Sequence, residues 1–492
     1  MAPYYIKSKR GKNLLVSKGH LYSKHSKNKS SIYWVCIRKP ECTTRCTTTE
    51  DPLRIVREGE HDHAPDPEAI AARAAVHTIK EAGVSAPERA PVHIIDQAMH
   101  RLSDGVVAKL PLRAAMKRAV NRARSSRLPT NPKSIRDLKD LPPEFMNTLS
   151  GDLFVVYDSY EEQEGSDDED DPVEDRIIVF ATKDNLKKLG RSLTWFTDGT
   201  FMVCPSLFTQ LFTIHGMYRD VALPLVYALL PNKLEASYTR VLEAIKEKAD
   251  ELHINFPEPE TVVSDFELAI INSVKAIFPH ATLRLCFFHL GQSLWRNVQG
   301  AGLQAAYSDP EHRDLKDGVH MLLSLAFVPV EDLPAAFEEL RNDLVDDLLD
   351  IADTFEKTYI QTSMQTHTHT HARTEFIFLR YSPADWNQYV AAQHGEQRTN
   401  NLCEAWHRRF NSLVGKAHPT FYALLRDIRK EQATTESNIR ELDLGRPVRE
   451  PQRKKYRTVT ERLQRIVLRY QEHKEDGTIL SFLRACGYQF SL

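Results

Sequence analysis

Two aspartates in this chain close apolar, β-prone runs: Asp198 in SLTWFTDGTF and Asp265 in TVVSDFE. If the two runs are neighbouring strands of one sheet, their ends lie side by side. A pair of carboxylates so placed suits a hard divalent cation such as Mg2+, which takes oxygen ligands, usually only one or two of them protein carboxylates. Each residue also has a local alternative. Asp265 suits the cap of a helix starting near Glu267, and Asp198–Gly199 is a turn dipeptide whose glycine permits a tight turn and a close substrate.

A second chemistry is written between residues 36 and 63, where Cys36, Cys42 and Cys46 are followed by the β-prone LRIV and then by His61 and His63. Two thiolates and two imidazoles make a closed tetrahedral zinc site, and the metal then supplies folding energy that so small a segment cannot draw from a core. On an extended strand the i and i+2 side chains share one face, so a His-x-His pair can chelate. Which thiol follows Cys36, Cys42 or Cys46, stays open on these grounds.

The rest of the 492-residue chain has to position these groups. Its 41% apolar and 27% charged residues describe an ordinary globular protein, and its length fits two to four domains. The net charge of −2 hides local asymmetry. Residues 1–50 carry eleven Lys or Arg against two acids, and residues 113–139 nine against one. Such stretches are candidate polyanion-facing surfaces. Within them and in the basic segment 446–469, Arg118, Arg122, Arg124, Lys454 and Lys455 are the candidate DNA-binding residues, placed to neutralise phosphates. The run 158–175 holds eleven acids and no base, which predicts a solvated, flexible insertion. The longest apolar stretch, VALPLVYALL, is far shorter than the roughly 18 residues of a membrane span, so no membrane association is expected.

Periodicity predicts helices over 68–83 and 92–124, the second interrupted at Pro111. From residue 176 the pattern alternates. RIIVFAT reads as a strand, DNLKKLGR as a short helix, and LTWFT, LFTQLFTIHGMY and VALPLVYALL as a three-stranded meander. A long amphipathic helix follows, then strand, helix and strand through PETVVSDFE, ELAIINSVKAIF and ATLRLCFF. This describes a mixed α/β domain. Residues 300–395 are mostly helical by pattern, with THTHTH at 366–371 read as a polar loop.

The residues carry two family resemblances. Gly19, Tyr22, Trp34, Cys36, Cys42, Arg45, His61 and His63 resemble the FLYWCH zinc finger, and the Cys42-x-x-Arg45 spacing favours Cys42 over Cys46 as the second ligand. TWFTDGTF, VVSDFELAI, LCFFHLGQSLWR and RTNNLCEAWHRRFN resemble, in order, the blocks of the Mutator-like element (MULE) transposase domain. That resemblance implies a ribonuclease-H-like fold with a helical insertion near 300–395 and a DDE triad. Carried over position by position, the triad is Asp198, Asp265 and Glu404, holding Mg2+ or Mn2+. By periodicity alone Glu404 is an ordinary exposed helix residue. Cys286 and His289 match the family's Cys-x-x-His motif and take a site-supporting role, with packing against the sheet as the plainer reading.

The organisation so implied is a FLYWCH finger over 1–66, a basic helical linker or DNA-binding region over 67–145, a transposase domain over 146–430 and a basic helical region over 431–492. The implied function is metal-dependent cleavage and strand transfer on transposon ends and target DNA, in a nuclear homo-oligomer. A domesticated DNA-binding regulator and a nuclease of the same fold acting on RNA are the alternatives.

Overall fold

The computed structural model describes residues 2–8, 11–86, 89–160, 175–360, 364–368, 371–375, 380–396, 398, 401–448 and 454–490. The chain divides into two compact units, 1–131 and 132–492. Each is a mixture of strands and helices.

The first unit opens with six short strands, β1 Tyr4–Lys7, β2 Asn13–Ser17, β3 His20–Lys27, β4 Ile32–Cys36, β5 Arg45–Thr48 and β6 Ile55–Glu58. They pair in sequence order as an antiparallel meander. Alternation along β2 gives the sheet two apolar faces. Leu14 and Val16 pack with Ile6, Leu21 and Ile70, whereas Leu15 packs with Tyr22, Ile32, Trp34 and Cys46. Gly19, at the β2–β3 turn, has φ +80°, and a Cβ there would lie 2.7 Å from Pro65 Cβ, so both the turn and the returning chain require glycine.

Helix α1, Pro67–Ser85, starts with Asp66 accepting from Ala69 N at 2.9 Å and proline at the first helical position. It is followed by α2 Pro91–Met99, α3 Asp104–Ala108 and α4 Arg113–Ser125. The expected helix over 92–124 is thus three helices, and Pro111 falls between the last two.

The second unit is built on a seven-stranded mixed sheet. In chain order its elements are β7 Val155–Asp158, β8 Ile178–Phe180, α5 Lys183–Leu189, β9 Thr194–Thr200, β10 Gln210–Tyr218, β11 Val221–Leu230, α6 Glu235–Glu251, β12 Thr261–Ser264, α7 Leu268–Ile277, β13 Thr282–Leu285 and α8 Phe287–Gly300. Strands β9, β10 and β11 form an antiparallel meander, with a two-residue turn in which Arg219 and Asp220 both have positive φ. Positive φ at both positions gives the twist that suits a tight hairpin. Strand β12 runs parallel to β9, and β13 parallel to β12, so the spatial order is β13-β12-β9-β10-β11-β8-β7.

One face of this sheet is buried under α6 and α7 in a core that includes Trp195, Phe212, Val226, Val262 and Ile271. The opposite face carries Phe196, Ala222 and Val263 against Cys403 of helix α9, Asn401–Val414. Helix α10, Phe421–Asp443, then α11, Lys454–Leu468, follow.

Two expectations change. The histidine-rich stretch is drawn into a β-hairpin, Met364–Thr368 with His371–Glu375, rather than a polar loop. Of the acidic run, residues 161–174 lie outside the described residues, but its first acid, Asp158, is buried in β7 and ion-paired to buried Arg176 at 2.6 Å.

Candidate functional sites

In the first unit, Cys36 ends β4, Cys42 lies in the loop before β5, and His61 and His63 follow β6. Their ligand atoms all lie within 4.8 Å of one another. Cys36 Sγ is 3.3 Å from His63 Nε2, Cys42 Sγ is 3.4 Å from His61 Nδ1, and the two histidine nitrogens are 3.1 Å apart. The pair does not sit on a strand: β6 ends at Glu58, and it is the loop beyond that turns both rings inward.

The surroundings select the ligand atoms. Tyr22 Oη lies 2.7 Å from His61 Nε2 and donates to Glu58 Oε1 at 2.8 Å, while His63 Nδ1 faces Ala64 O at 3.0 Å. Partners on the far nitrogens leave His61 Nδ1 and His63 Nε2 for a metal. Burial raises the Cys36 thiol and lowers His61 to about 4, the neighbouring His20 and His63 adding to the latter. A divalent cation removes the cost on the thiol side by favouring the thiolate. The donor set fits zinc.

Cys46 is absent from the group. It sits in β5 with its side chain in the Leu15–Trp34 cluster, whereas Cys42, in the loop before β5, faces His61.

In the second unit, the two aspartates meet through register. Val263 pairs with Phe196 across parallel β12 and β9. Asp265 and Asp198 each lie two residues further on, so alternation places both on the α9 face. Asp198 is inside β9, opposite Thr213, and not in a turn. Gly199 is likewise a strand residue. A Cβ there would lie 2.5 Å from Gln210 Oε1, so the missing side chain makes room for that amide and not for a sharp turn.

Helix α9 supplies the third acid. Cys403 packs onto Phe196 and Val263, and α9 is held in rotation by buried Glu431, which accepts from Trp406 Nε1 at 2.7 Å and from Arg409 Nη1 at 2.8 Å. Glu404 is therefore half-buried, with Oε1 buried and lacking a hydrogen-bond partner. Asp265 Oδ1 is in the same condition. Burial and then the Asp198 charge raise the Glu404 carboxyl, and burial, Asp198 and Glu267 push Asp265 up to about 7. The three acids share one electrostatic environment. Among the described residues, only the zinc group brings three or more ligand atoms within 4.8 Å of one another, so the carboxylates are near but not closed on a point.

His289, in the first turn of α8, has a buried Nδ1 without a partner, and its neighbours include the Asp198 charge. Cys286 is fully buried where β13 passes into α8, and its N–H donates to Ser264 O at 2.8 Å, beside Asp265. Sequence reasoning missed His407. Its Nδ1 lies 3.2 Å from Asp198 Oδ2, and its one available signal was the spacing of three from Glu404 on a helix.

Burial of the Asp265 carboxyl bears on stability. Its folded pKa, about 7, stands above the ordinary carboxyl value of 3.8, so the folded state holds the proton more tightly than the unfolded one. Stability contributed by this group falls as pH rises from about 4 to about 7 and is level above that. Asp265→Asn should accordingly melt at a higher temperature than wild type at pH 8 in the absence of divalent cations. The gain should shrink toward pH 4. An unchanged melting profile at both pH values would show that the carboxyl is not destabilised.

Of the basic candidates, Arg118 and Arg122 lie exposed one turn apart on α4. Arg124 does not belong with them: its guanidinium donates to the carbonyls of Gly83, Ala86 and Arg89 at 2.7–3.1 Å and ties down the end of α1. Lys454 and Lys455 open α11, and their side chains lie outside the described residues. No helix is long and apolar enough to cross a membrane among the described residues.

Comparison with known families matches residues 194–293 to the MULE transposase domain and residues 5–63 to the FLYWCH zinc finger domain. The first match contains Asp198, Asp265, Cys286 and His289 and ends before Glu404; the second contains all four zinc-group residues. No curated protein matches the chain.

Proposed function

We propose that a chain carrying a MULE transposase domain and a FLYWCH zinc finger is a DNA transposase, which cuts and joins DNA at a DDE centre of Asp198, Asp265 and Glu404. The family matches themselves support a transposase-like, DNA-binding function and structural zinc. The observation that carries the finer reading is the convergence of three acids from β9, the end of β12 and α9 on one face of the sheet, two of them with buried, unpartnered oxygens. The strand order, an antiparallel β9-β10-β11 meander extended on the β9 side by parallel β12 and β13, supports a ribonuclease-H-like fold.

The oxygen donors suit Mg2+ or Mn2+. Bound there, such cations supply activation of an attacking water or 3′-hydroxyl and stabilisation of the leaving oxygen. The chain's own part is to hold the carboxylates rigidly. Strand pairing fixes Asp198, the Cys286–Ser264 hydrogen bond braces the segment before Asp265, and Glu431 fixes the helix that bears Glu404. A transposase pairs two DNA ends, which calls for at least two subunits, and the nucleus is the compartment proposed for it.

The test is divalent-dependent nicking and strand transfer on labelled terminal-repeat DNA. Strand-transfer product that disappears with chelator supports the reading. Tight binding without any cleavage would make the chain a DNA-binding regulator, and cleavage of RNA alone would make it a ribonuclease.

The α4 surface carries a separate expectation. Replacing Arg118 and Arg122 together by Gln should weaken binding to all DNA sequences alike and flatten the salt dependence by close to one unit of slope for each phosphate no longer neutralised. Arg124→Gln should instead lower the melting temperature of the first unit, because three carbonyls lose their donor. An unchanged salt slope in the double variant would remove α4 from the DNA interface.

A further inference from the structure

Four buried polar atoms near Asp198 have no hydrogen-bond partner among the described residues: Asp265 Oδ1, Glu404 Oε1, His289 Nδ1 and His407 Nε2. Buried polar groups are nearly always satisfied, so a cluster of exceptions points to a ligand that satisfies them. The two carboxylate oxygens among them suit a cation, and the orphaned Nε2 of His407 is the far nitrogen of a ring whose Nδ1 faces Asp198.

His407 has the most specific placement. It lies three residues after Glu404, so both side chains project from the same face of α9, and its side chain is only 13% exposed. Its Nδ1 stands 3.2 Å from Asp198 Oδ2. Adjacent ligands on an octahedral cation with bonds of roughly 2.1 Å are separated by about 3 Å. The chain provides its own comparison: at the zinc group, the neighbouring ligand atoms stand 3.1, 3.3 and 3.4 Å apart. The Asp198–His407 pair has the spacing of two ligands of one ion, and Glu404 shares the environment of Asp198.

We propose that His407 is a nitrogen ligand in the carboxylate centre, binding through Nδ1 beside Asp198 Oδ2, and that it makes the centre prefer Mn2+ to Mg2+. This rests on the reading of Asp198, Asp265 and Glu404 as a cation site. Mg2+ keeps an oxygen shell and gains little from an imidazole, whereas Mn2+ lies in the first-row series in which nitrogen ligands add affinity. An active-site helix that offers Glu-x-x-His rather than Glu alone therefore shifts selectivity, while the acids still set the charge.

The experiment uses the full chain with its finger loaded with zinc. Mn2+ binding is followed by electron paramagnetic resonance, histidine nitrogen coupling by electron spin echo modulation, and Mg2+ affinity by competition. The wild type should bind Mn2+ more tightly than Mg2+ and show nitrogen coupling. His407→Gln should lose at least ~10-fold in Mn2+ affinity together with the coupling, and bind Mg2+ as before. His289→Gln should keep the coupling. Asp198→Asn should lose both cations.

Wild-type Mn2+ affinity and coupling in His407→Gln would overturn the histidine assignment alone. Full Mn2+ binding in Asp198→Asn would overturn the carboxylate reading beneath it. Should His407→Gln fail to fold, a wild-type Mn2+ complex without nitrogen coupling would overturn the proposal equally.

Discussion

Asp198→Asn, Asp265→Asn and Glu404→Gln should each give a folded protein that binds DNA and has lost divalent-dependent nicking by roughly two to four orders of magnitude, the equivalent of several kcal/mol of lost charge stabilisation. The substitutions keep shape and remove one negative charge. Folding should survive because the residues' neighbours, and not their charges, hold the centre: Phe196, Val263 and Cys403 form its apolar floor, and Glu431 anchors α9. A local role for Asp198 predicts the opposite, since asparagine satisfies a turn about as well as aspartate. That role is already disfavoured by its position inside β9. The measurement is nicking rate, DNA affinity and melting temperature on all three variants. Full activity in Glu404→Gln would place the third carboxylate elsewhere. Glu396, the nearest acid before it in the chain, is an unattractive substitute because it is engaged by Arg284 at 2.7 Å.

Removal of zinc should unfold residues 1–66 and leave the seven-stranded sheet intact, because the strands of the finger are only four to eight residues long and divide their apolar side chains between two small clusters. Metal binding on the order of 10–16 kcal/mol then supplies much of the folding energy. Cys42→Ser should lower zinc content below one ion per chain and expose the finger to protease. Cys46→Ser should keep the ion and lose only about 1–3 kcal/mol through a hydroxyl buried against Trp34. Zinc stoichiometry with limited proteolysis reads both effects. Loss of the ion in Cys46→Ser with retention in Cys42→Ser would exchange the two thiols.

Both candidate sites are legible in the sequence to the extent that ligand chemistry is local. Thiols and imidazoles gathered between residues 36 and 63 announce zinc because few other groups explain their company. Strand alternation was legible for the same reason: the period of two in β9 and β12 is a property of each run by itself, and so was the interruption of a helix at Pro111.

Tertiary structure decided how those runs face one another. Parity says that Phe196 and Asp198 share a face, but only the Val263–Phe196 pairing sets Asp265 beside Asp198. Glu404 is an unremarkable helix residue until α9 docks through Cys403, and His407 gains a meaning only when its ring meets the carboxylate of Asp198, on a strand far earlier in the chain. Arg124 belongs by sequence with the other basic residues of 113–139, yet its guanidinium donates to the carbonyls of Gly83, Ala86 and Arg89 at and beyond the end of α1. Cys42 and Cys46 differ for a related reason: one lies in a loop that bends toward the histidines, whereas the other points from a strand into the core. Periodicity fixes which side of its own element a residue occupies. The partner across that side is set by register and docking, which depend on contacts between segments far apart in the chain.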